Sequence, residues 1–483
     1  MANKEFSYGS MAVPSGESRY RLIRWGWGGL NRSHVIDTGD ITACDGVNIN
    51  PPYVSAAPAF EHFAEYKNNK EPIGIYGFDD FLVVLYRASG KILADYHKNG
   101  RNYTGIVGDA KGDAGDFEHR SIVQFNVLEG TENIVSATYN RKLVIYPDQK
   151  SMDFYVSDNF NPASLGDAYP SIKYATVYGS RVFGVDDDRV YASGFNDYTF
   201  WELDTADETS PNNAWVSTSQ SNVKADGNFT GIWTYDNHVV LFKKDFTQLV
   251  YNDENPFRIV DVTAYGADNP KAITETEGTL YFASADMVYA FTGGVPKAVG
   301  EELGITDYGG ACMGSYKDRT YLCVGNTLYT LQDGVWSERV LPSGIMQFAA
   351  NENGLYALFR DGTIARIDGM QETDMSYGDW WFETDFMAAG RLDVRRVKKI
   401  TVLCEIAPGA SLEVYLLKDG ESFNKVTTRK VLSSKGHGWR TLSALVRGMS
   451  ADMHRMRFVG HGKVRIHAAE LQISWGGDYY KER

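Results

Sequence analysis

The sequence predicts an all-β protein in three parts: an extended N-terminal arm over residues 1–60, a β-propeller of six or seven blades over 61–370, and a β-sandwich over 371–483. Three observations lead there. Helical periodicity is almost absent. A unit of two apolar runs joined by a tight turn recurs through the middle of the chain. Beyond Trp380 the pattern changes to alternation of apolar and polar residues, the signature of strands half-buried against a second sheet.

The repeat is explicit. Leu82–Tyr86 turns through Ala88-Ser89-Gly90 into Ile92–Tyr96, and Leu143–Tyr146 precedes Phe154–Val156. Val182–Val185 turns through Asp186-Asp187-Asp188 into Val190–Ser193, and Val239–Phe242 precedes Gln248–Tyr251. Leu280–Phe282, Tyr321–Val324 and Tyr356–Phe359 open three more copies. A turn is expected before each unit, near Gly77, Asn140, Gly179, Asn237, Gly278, Asp318 and Gly354, giving gaps of 63, 39, 58, 41, 40 and 36 residues. Spacing near 40 with about four short strands per unit is that of propeller blades, which hide both faces only by stacking around an axis. The two long gaps hold insertions, Gly108–His119 and Asp207–Ala214. Trp201 and Trp336 are expected to cap a blade's outer strand against its neighbour.

In the C-terminal part Ile400, Val402, Cys404 and Ile406 share one face, as do Leu412, Val414 and Leu416, Met456 with Phe458, Val464 with Ile466, and Leu471, Ile473 with Trp475. The polar join Gln371–Asp379 marks its start. The stretch from Arg24 to Pro58 is rich in Gly pairs and turn formers, with little core-forming power, and reads as an arm lying along another surface. Such an arm is placed to add a strand to the last blade and close the ring.

Composition narrows the function. The chain of 483 residues is longer than one core usually takes, and 13% aromatics with 48 Gly suit strands and turns. The first 19 residues carry no apolar stretch, so no secretory signal is expected, and no run of 18 apolar residues offers a membrane-spanning segment. Four dispersed cysteines, Cys44, Cys312, Cys323 and Cys404, suit a reducing compartment. Cys312 and Cys323 are placed to approach on neighbouring strands, as small hydrophobic thiols of a core. Net charge is −14; residues 371–483 hold 18 Lys+Arg and 14 Asp+Glu, leaving 30 and 48 for residues 1–370. An acidic body argues against nucleic-acid binding by charge neutralisation, and no sequence-specific nucleic-acid partner is expected.

Catalytic phrases are missing: there is no G-x-S-x-G, H-E-x-x-H or G-x-x-x-x-G-K-[ST]. Gly460-His461-Gly462-Lys463 reads as a hairpin turn rather than a phosphate loop. His437, His454, His461 and His467 lack metal-ligand spacing. Asp109, Asp113, Asp116 and Glu118 resemble a calcium loop only loosely and read as a solvated insertion, and Asp186-Asp187-Asp188 reads as a turn. No catalytic, cofactor or metal residue is assigned. A propeller glycoside hydrolase would need paired carboxylates, and a sialidase a converging set of Arg that nothing here marks. Trp439 and Trp475 would carry glycan adhesion if exposed.

Two phrases add a resemblance. Asn31, Asp37–Ile41 and Asn48 lead into Pro52-Tyr53, and Arg189–Ser193 is followed by Asn196–Trp201 in the form R-V-Y-x-S-x-x-x-D-x-x-x-W. With the arm, propeller and sandwich, these resemble the tail hub, or packaged-DNA stabilisation, proteins of short-tailed bacteriophages and related tail nozzle components. Where the family's N-terminal bend ends in Pro-Gly, this chain has Ala57-Pro58-Ala59. The resemblance implies a non-enzymatic virion tail subunit made in the host bacterial cytoplasm. It would form a homo-oligomeric ring, a hexamer among the orders considered, through which DNA is retained and ejected. Its partners would be other phage tail proteins, on the portal or adaptor side and on the fibre or spike side. An acidic body would not stick to passing DNA, and Arg391, Arg395, Arg396, Lys398 and Lys399 would meet an acidic neighbour in the ring, if they are not simply a solvated basic face. The alternatives are a baseplate or host-glycan-binding component of the tail and, third, a propeller glycoside hydrolase.

Overall fold

The computed structural model describes residues 10–14, 19–25, 27–33, 40–98, 100–109, 121–129, 138–146, 152–155, 162–164, 170, 172–201, 210, 212–217, 227–251, 255–370, 375–385, 395–418, 424–430, 439–446, 450–451 and 454–475. Seven four-stranded antiparallel sheets follow one another in the propeller. Each repeat read from the sequence is the second and third strands of a blade. In blade one these are Phe81–Ala88 and Lys91–Lys98, flanked by the inner strand Glu71–Phe78 and the outer strand Arg101–Asp109. The second strands are the most apolar: in Phe81–Ala88, Arg181–Val185 and Gly354–Phe359 nearly every position is buried, because sheets cover both their faces.

Two-residue turns join inner strands to second strands where the sequence marked them in most blades. Asp236 and Asn237, with φ of 43° and 59°, and Glu277 and Gly278, with φ of 49° and 71°, take the left-handed pairs that a twisted hairpin needs. Gly77 is a correction, since it lies inside the inner strand and the turn falls at Asp79-Asp80. Its missing side chain serves packing: a Cβ there would stand 2.0 Å from the Ala350 carbonyl oxygen of blade seven's inner strand (Ile345–Asn351). Asn140 likewise lies inside a strand, Thr138–Tyr146 of blade two.

The ring is closed by chain from the N-terminal side. Glu61–Glu65 pairs with Thr363–Asp368 as the fourth strand of blade seven, and the chain then enters blade one. The strand begins immediately after the arm boundary expected from sequence. Tyr66 continues the join, its N–H donating to Gly362 O at 2.7 Å. Its hydroxyl donates to buried Asp95 of blade one at 2.9 Å, which also accepts from Tyr86 at 3.0 Å and Thr104 at 2.7 Å. Lys70 stands 3.7 Å from the same carboxylate and over the rings of Tyr66 and Tyr86. Asp95 therefore clasps the closing segment to the first blade.

The sandwich takes strands from both ends of the chain. One sheet runs Ser10–Pro14, Arg19–Trp25, Val464–Trp475, Arg395–Ile406, Trp439–Leu445; the other runs Ile41–Asp45, Asp379–Thr384, His454–His461, Ser411–Lys418, Asn424–Lys430. The expected weakness of the N-terminal segment as a core former is corrected here. Trp27, Leu30, Ile41, Val47, Ile49 and Val54 are all buried, and Trp27 meets Phe382 and Phe458 edge-on at 5.2 and 5.6 Å. Gly pairs hid this, because few apolar residues in a turn-rich stretch suffice when a second sheet supplies the rest. The alternating residues Ile400 to Ile406, Leu412 to Leu416, Met456 and Phe458 all face the core. Val464–Ile466 and Leu471–Ile473 prove to be one strand, whose register shifts at His467.

Gly460–Lys463 is not a hairpin turn, since the strands it joins lie in opposite sheets. The chain crosses between layers there, and the Trp380 ring fills the space beside Gly460, where a Cβ would be 1.9 Å from it.

Asp95→Ala is expected to leave three hydroxyl donors without their acceptor and to lower stability by about 3 kcal/mol. Urea unfolding followed by tryptophan fluorescence measures it, and a loss no larger than that of an exposed Asp→Ala change contradicts the clasp.

Candidate functional site

The basic cluster singled out in the sequence lies at one end of the central sandwich strand Arg395–Ile406. Arg391 falls outside the described residues. Arg395 and Arg396 are in register with Trp475 and Ser474 on one side and with Ala451 and Ser450 on the other. Lys398 occupies the extra position of a β-bulge between Val397 and Lys399, is exposed, and accepts the Val446 N–H at 2.9 Å through its carbonyl. Lys399 is half-buried. The bulge keeps Val397 and Ile400 facing the core while presenting a lysine to the outside.

A second polar constellation, not read from the sequence, joins the N-terminal segment to blade six. It is built on that blade's outer strand, Val335–Val340. Leu30 N–H donates to Trp336 O at 2.8 Å, Val340 N–H to Asp45 Oδ1 at 2.9 Å, and Arg339 to Pro58 O at 2.8 Å. Buried Glu338 is ion-paired with Arg32 and accepts the Cys44 N–H at 3.3 Å. Burial pushes the Glu338 carboxyl up in spite of Arg32. Burial and the Glu338 charge push the Cys44 thiol well above its ordinary range, so this sulfur is held neutral and unreactive. Trp336 donates Nε1–H to Val299 O of blade five at 2.7 Å, and so caps the outer strand against its neighbour. Contacts between residues some 300 apart in sequence leave no local pattern, which is why the junction was not legible beforehand.

Trp201 departs from that expectation. It lies in the loop before the outer strand Trp215–Val216 and packs within its own blade against Ile172, Val182 and Tyr198, donating Nε1–H to Tyr198 O at 2.9 Å. The phrase around it has local structural work. Asp186 Oδ1 accepts the N–H groups of Asp188 and Arg189 at 3.0 and 2.8 Å, while Asp197 Oδ1 accepts the Thr199 N–H and hydroxyl at 2.8 and 2.6 Å. Buried Arg181 donates to Asn213 O at 2.8 Å between the rings of Phe195 and Phe257.

Among the described residues two cavities of ligand size stand out. One, of about 570 Å³, lies on the propeller axis against the inner strands, with Tyr76, Thr176, Trp233, Lys271, Ser315 and Gln347 on its wall. Three polar contacts on its wall bridge neighbouring blades: Thr176 with Thr234 at 2.8 Å, Thr274 with Ser315 at 3.0 Å, Gln347 to Ile75 O at 2.8 Å. Among the described residues no carboxylate lines it, so the paired acids of a glycosidase are not assembled there. The other, of about 590 Å³, separates propeller from sandwich. Arg319 pairs with Asp368 at 3.3 Å on the propeller wall and Arg465 with Glu405 at 3.7 Å on the sandwich wall.

Among the described residues no group of three or more His, Cys, Asp or Glu is placed to hold an ion. His437 lies outside the described residues, and His461 pairs with Asp379 at 2.8 Å on the surface. His467 packs edge-on to Tyr53 at 4.3 Å. Asp109 ends a strand of blade one, while Asp113, Asp116 and Glu118 lie outside the described residues, as do the side chains of Trp439 and Trp475. Among the described residues no helix is long and apolar enough to cross a membrane.

No family model matches the chain, and no curated protein matches it. Among solved structures, the WD40 domain of Toxoplasma gondii coronin is similar at 12% identity over 68% of this chain and 87% of that one, with a TM-score of 0.39. BBS1N, solved in complex with ARL6DN, is similar at 10% identity over 65% of this chain and 98% of that one, with a TM-score of 0.38.

Burial, and then the Arg465 charge, lower the His467 pKa to about 4. A depressed folded-state value means stability that is full above the unfolded value, about 6.5, and lost as pH falls from there towards 4. Urea unfolding at pH 7 and pH 4 should show His467→Leu losing about 1–2 kcal/mol less than wild type across that interval; equal losses contradict the assignment.

Proposed function

We propose that the chain is a non-enzymatic structural subunit of a bacteriophage tail, a hub or nozzle ring component through which DNA is retained and ejected. The observation that carries this reading is the resemblance of Arg189–Trp201 to the family phrase, together with its propeller-then-sandwich layout. The structure supports it by giving that phrase structural work: Asp197 and Trp201 hold their own loop, and the Arg189 N–H donates to Asp186 of the turn before it. The charge division supports it as well. Residues 1–370 carry 48 Asp+Glu against 30 Lys+Arg, whereas 371–483 carry 14 against 18. A ring needs a heterologous contact between two different patches, and opposite charge on two parts of one chain supplies such a pair.

In this reading Lys398 and Lys399, with Arg391, Arg395 and Arg396, face the acidic propeller of the next copy. Further contacts would be to tail proteins above and below the ring, within the virion tail, after synthesis in the host bacterium.

Reversing Lys398 and Lys399 to Glu is expected to abolish rings in negative-stain images while leaving monomers folded by circular dichroism. Normal rings from that variant sink the interface assignment. A wild-type protein that stays monomeric at every concentration and cleaves members of a glycan panel overturns the functional reading itself.

A further inference from the structure

Blade six sets two thiols face to face. Cys312 opens its inner strand, Cys312–Tyr316, and Cys323 lies on the second strand, Arg319–Val324, as the direct cross-strand partner. The two-residue turn Lys317-Asp318 makes Tyr316–Arg319 the closing, hydrogen-bonded pair. Hydrogen-bonded and open pairs alternate from there, so Cys312–Cys323, four steps on, is again of the hydrogen-bonded kind. Such pairs hold their Cα atoms about 5.5 Å apart, within the roughly 4.4–6.8 Å that a disulfide spans.

The side chains are oriented to match. Both sulfurs are buried, and as direct cross-strand partners the two side chains stand on one face of the sheet. Cys312 Sγ donates to Ile345 O at 3.4 Å, and the Ile345 N–H donates to Cys323 Sγ at 3.4 Å, so the first residue of blade seven holds the pair in place. The neighbouring Cys312 thiol draws the Cys323 thiol below its ordinary range despite burial, whereas burial pushes Cys312 up. One partner is thus the better nucleophile and the other the resolving thiol. Cys44 differs in having Phe382 as its cross-strand partner, its sulfur engaging the Glu338 backbone.

We propose that Cys312 and Cys323 form an intrachain disulfide when the protein meets a low-molecular-weight disulfide such as oxidised glutathione. The Cys323 thiolate attacks one sulfur of the reagent and releases one glutathione thiolate. Cys312 then gives up its proton and attacks the Cys323 sulfur of the mixed disulfide, displacing the second glutathione. Two protein thiols are oxidised and one reagent disulfide is reduced to two thiols. Both cysteines stand near strand ends, Cys312 first in its strand and Cys323 two residues before the Gly325-Asn326 turn, and in this proposal the reagent reaches them by local opening of those ends. The bond ties the inner hairpin of the blade whose outer strand carries the junction to the N-terminal segment, and does not depend on the tail assignment.

The test exposes the native full-length chain to oxidised glutathione, blocks remaining thiols under denaturing conditions, and maps peptides by mass spectrometry. The expected product is the Cys312–Cys323 cross-linked peptide, two hydrogens lighter than its reduced components, with Cys44 and Cys404 alkylated. The melting temperature should rise by several degrees, reversed by dithiothreitol. Cys323→Ala and Cys312→Ala, both small apolar replacements, should abolish cross-link and shift alike. Full alkylation of Cys312 and Cys323 after oxidation just below the melting temperature overturns the proposal, as do stable glutathione adducts without the cross-link or pairing with another cysteine.

Discussion

The architecture rests on the pairing of Glu61–Glu65 with Thr363–Asp368, which completes the last blade with the segment that leads into the first. Each blade covers an apolar face of its neighbour, so a gap between the first and last blades would expose two such faces at once. The pairing is backbone to backbone and sets only the distance; specificity comes from what surrounds it. Gly77 lets the inner strands of blades one and seven approach. Asp95 gathers Tyr66, Tyr86 and Thr104 into one buried acceptor.

The same economy explains the sandwich. The N-terminal segment contributes Trp27 and five strands to sheets otherwise built near residue 400, then returns at Glu61 to close the propeller. A chain that passes through both domains before either is complete ties their folding together. The Arg32–Glu338–Cys44 junction fastens that passage to blade six, where a buried carboxylate with a single cation is expensive to break from either side.

Period was legible in the sequence and partnership was not. The second and third strands of each blade announced themselves, because a run such as Leu82–Tyr86 followed by Ser89-Gly90 has only one economical geometry. The sandwich strands did so by alternation, and Lys398 could join a basic cluster on paper without its bulge being visible. What escaped notice depends on distant pairs: Trp27 read as part of an arm until Phe382 and Phe458 stood around it, and Glu338 was an ordinary strand residue until Arg32 reached it. Trp201 shows the limit from the other side, a packing tryptophan as expected but serving its own blade. The basic cluster was legible only as charge, and charge alone does not say which surface it meets.

The most direct measurement engineers a cross-link across the closure. Ala64 and Ile364 are register partners, so Ala64→Cys with Ile364→Cys should oxidise to a bond that peptide mass mapping finds between those two positions, with a sharply higher melting temperature. Failure of the two cysteines to join, in a chain that is otherwise folded, would mean that the N-terminal strand does not complete the last blade and that the ring is closed in some other way.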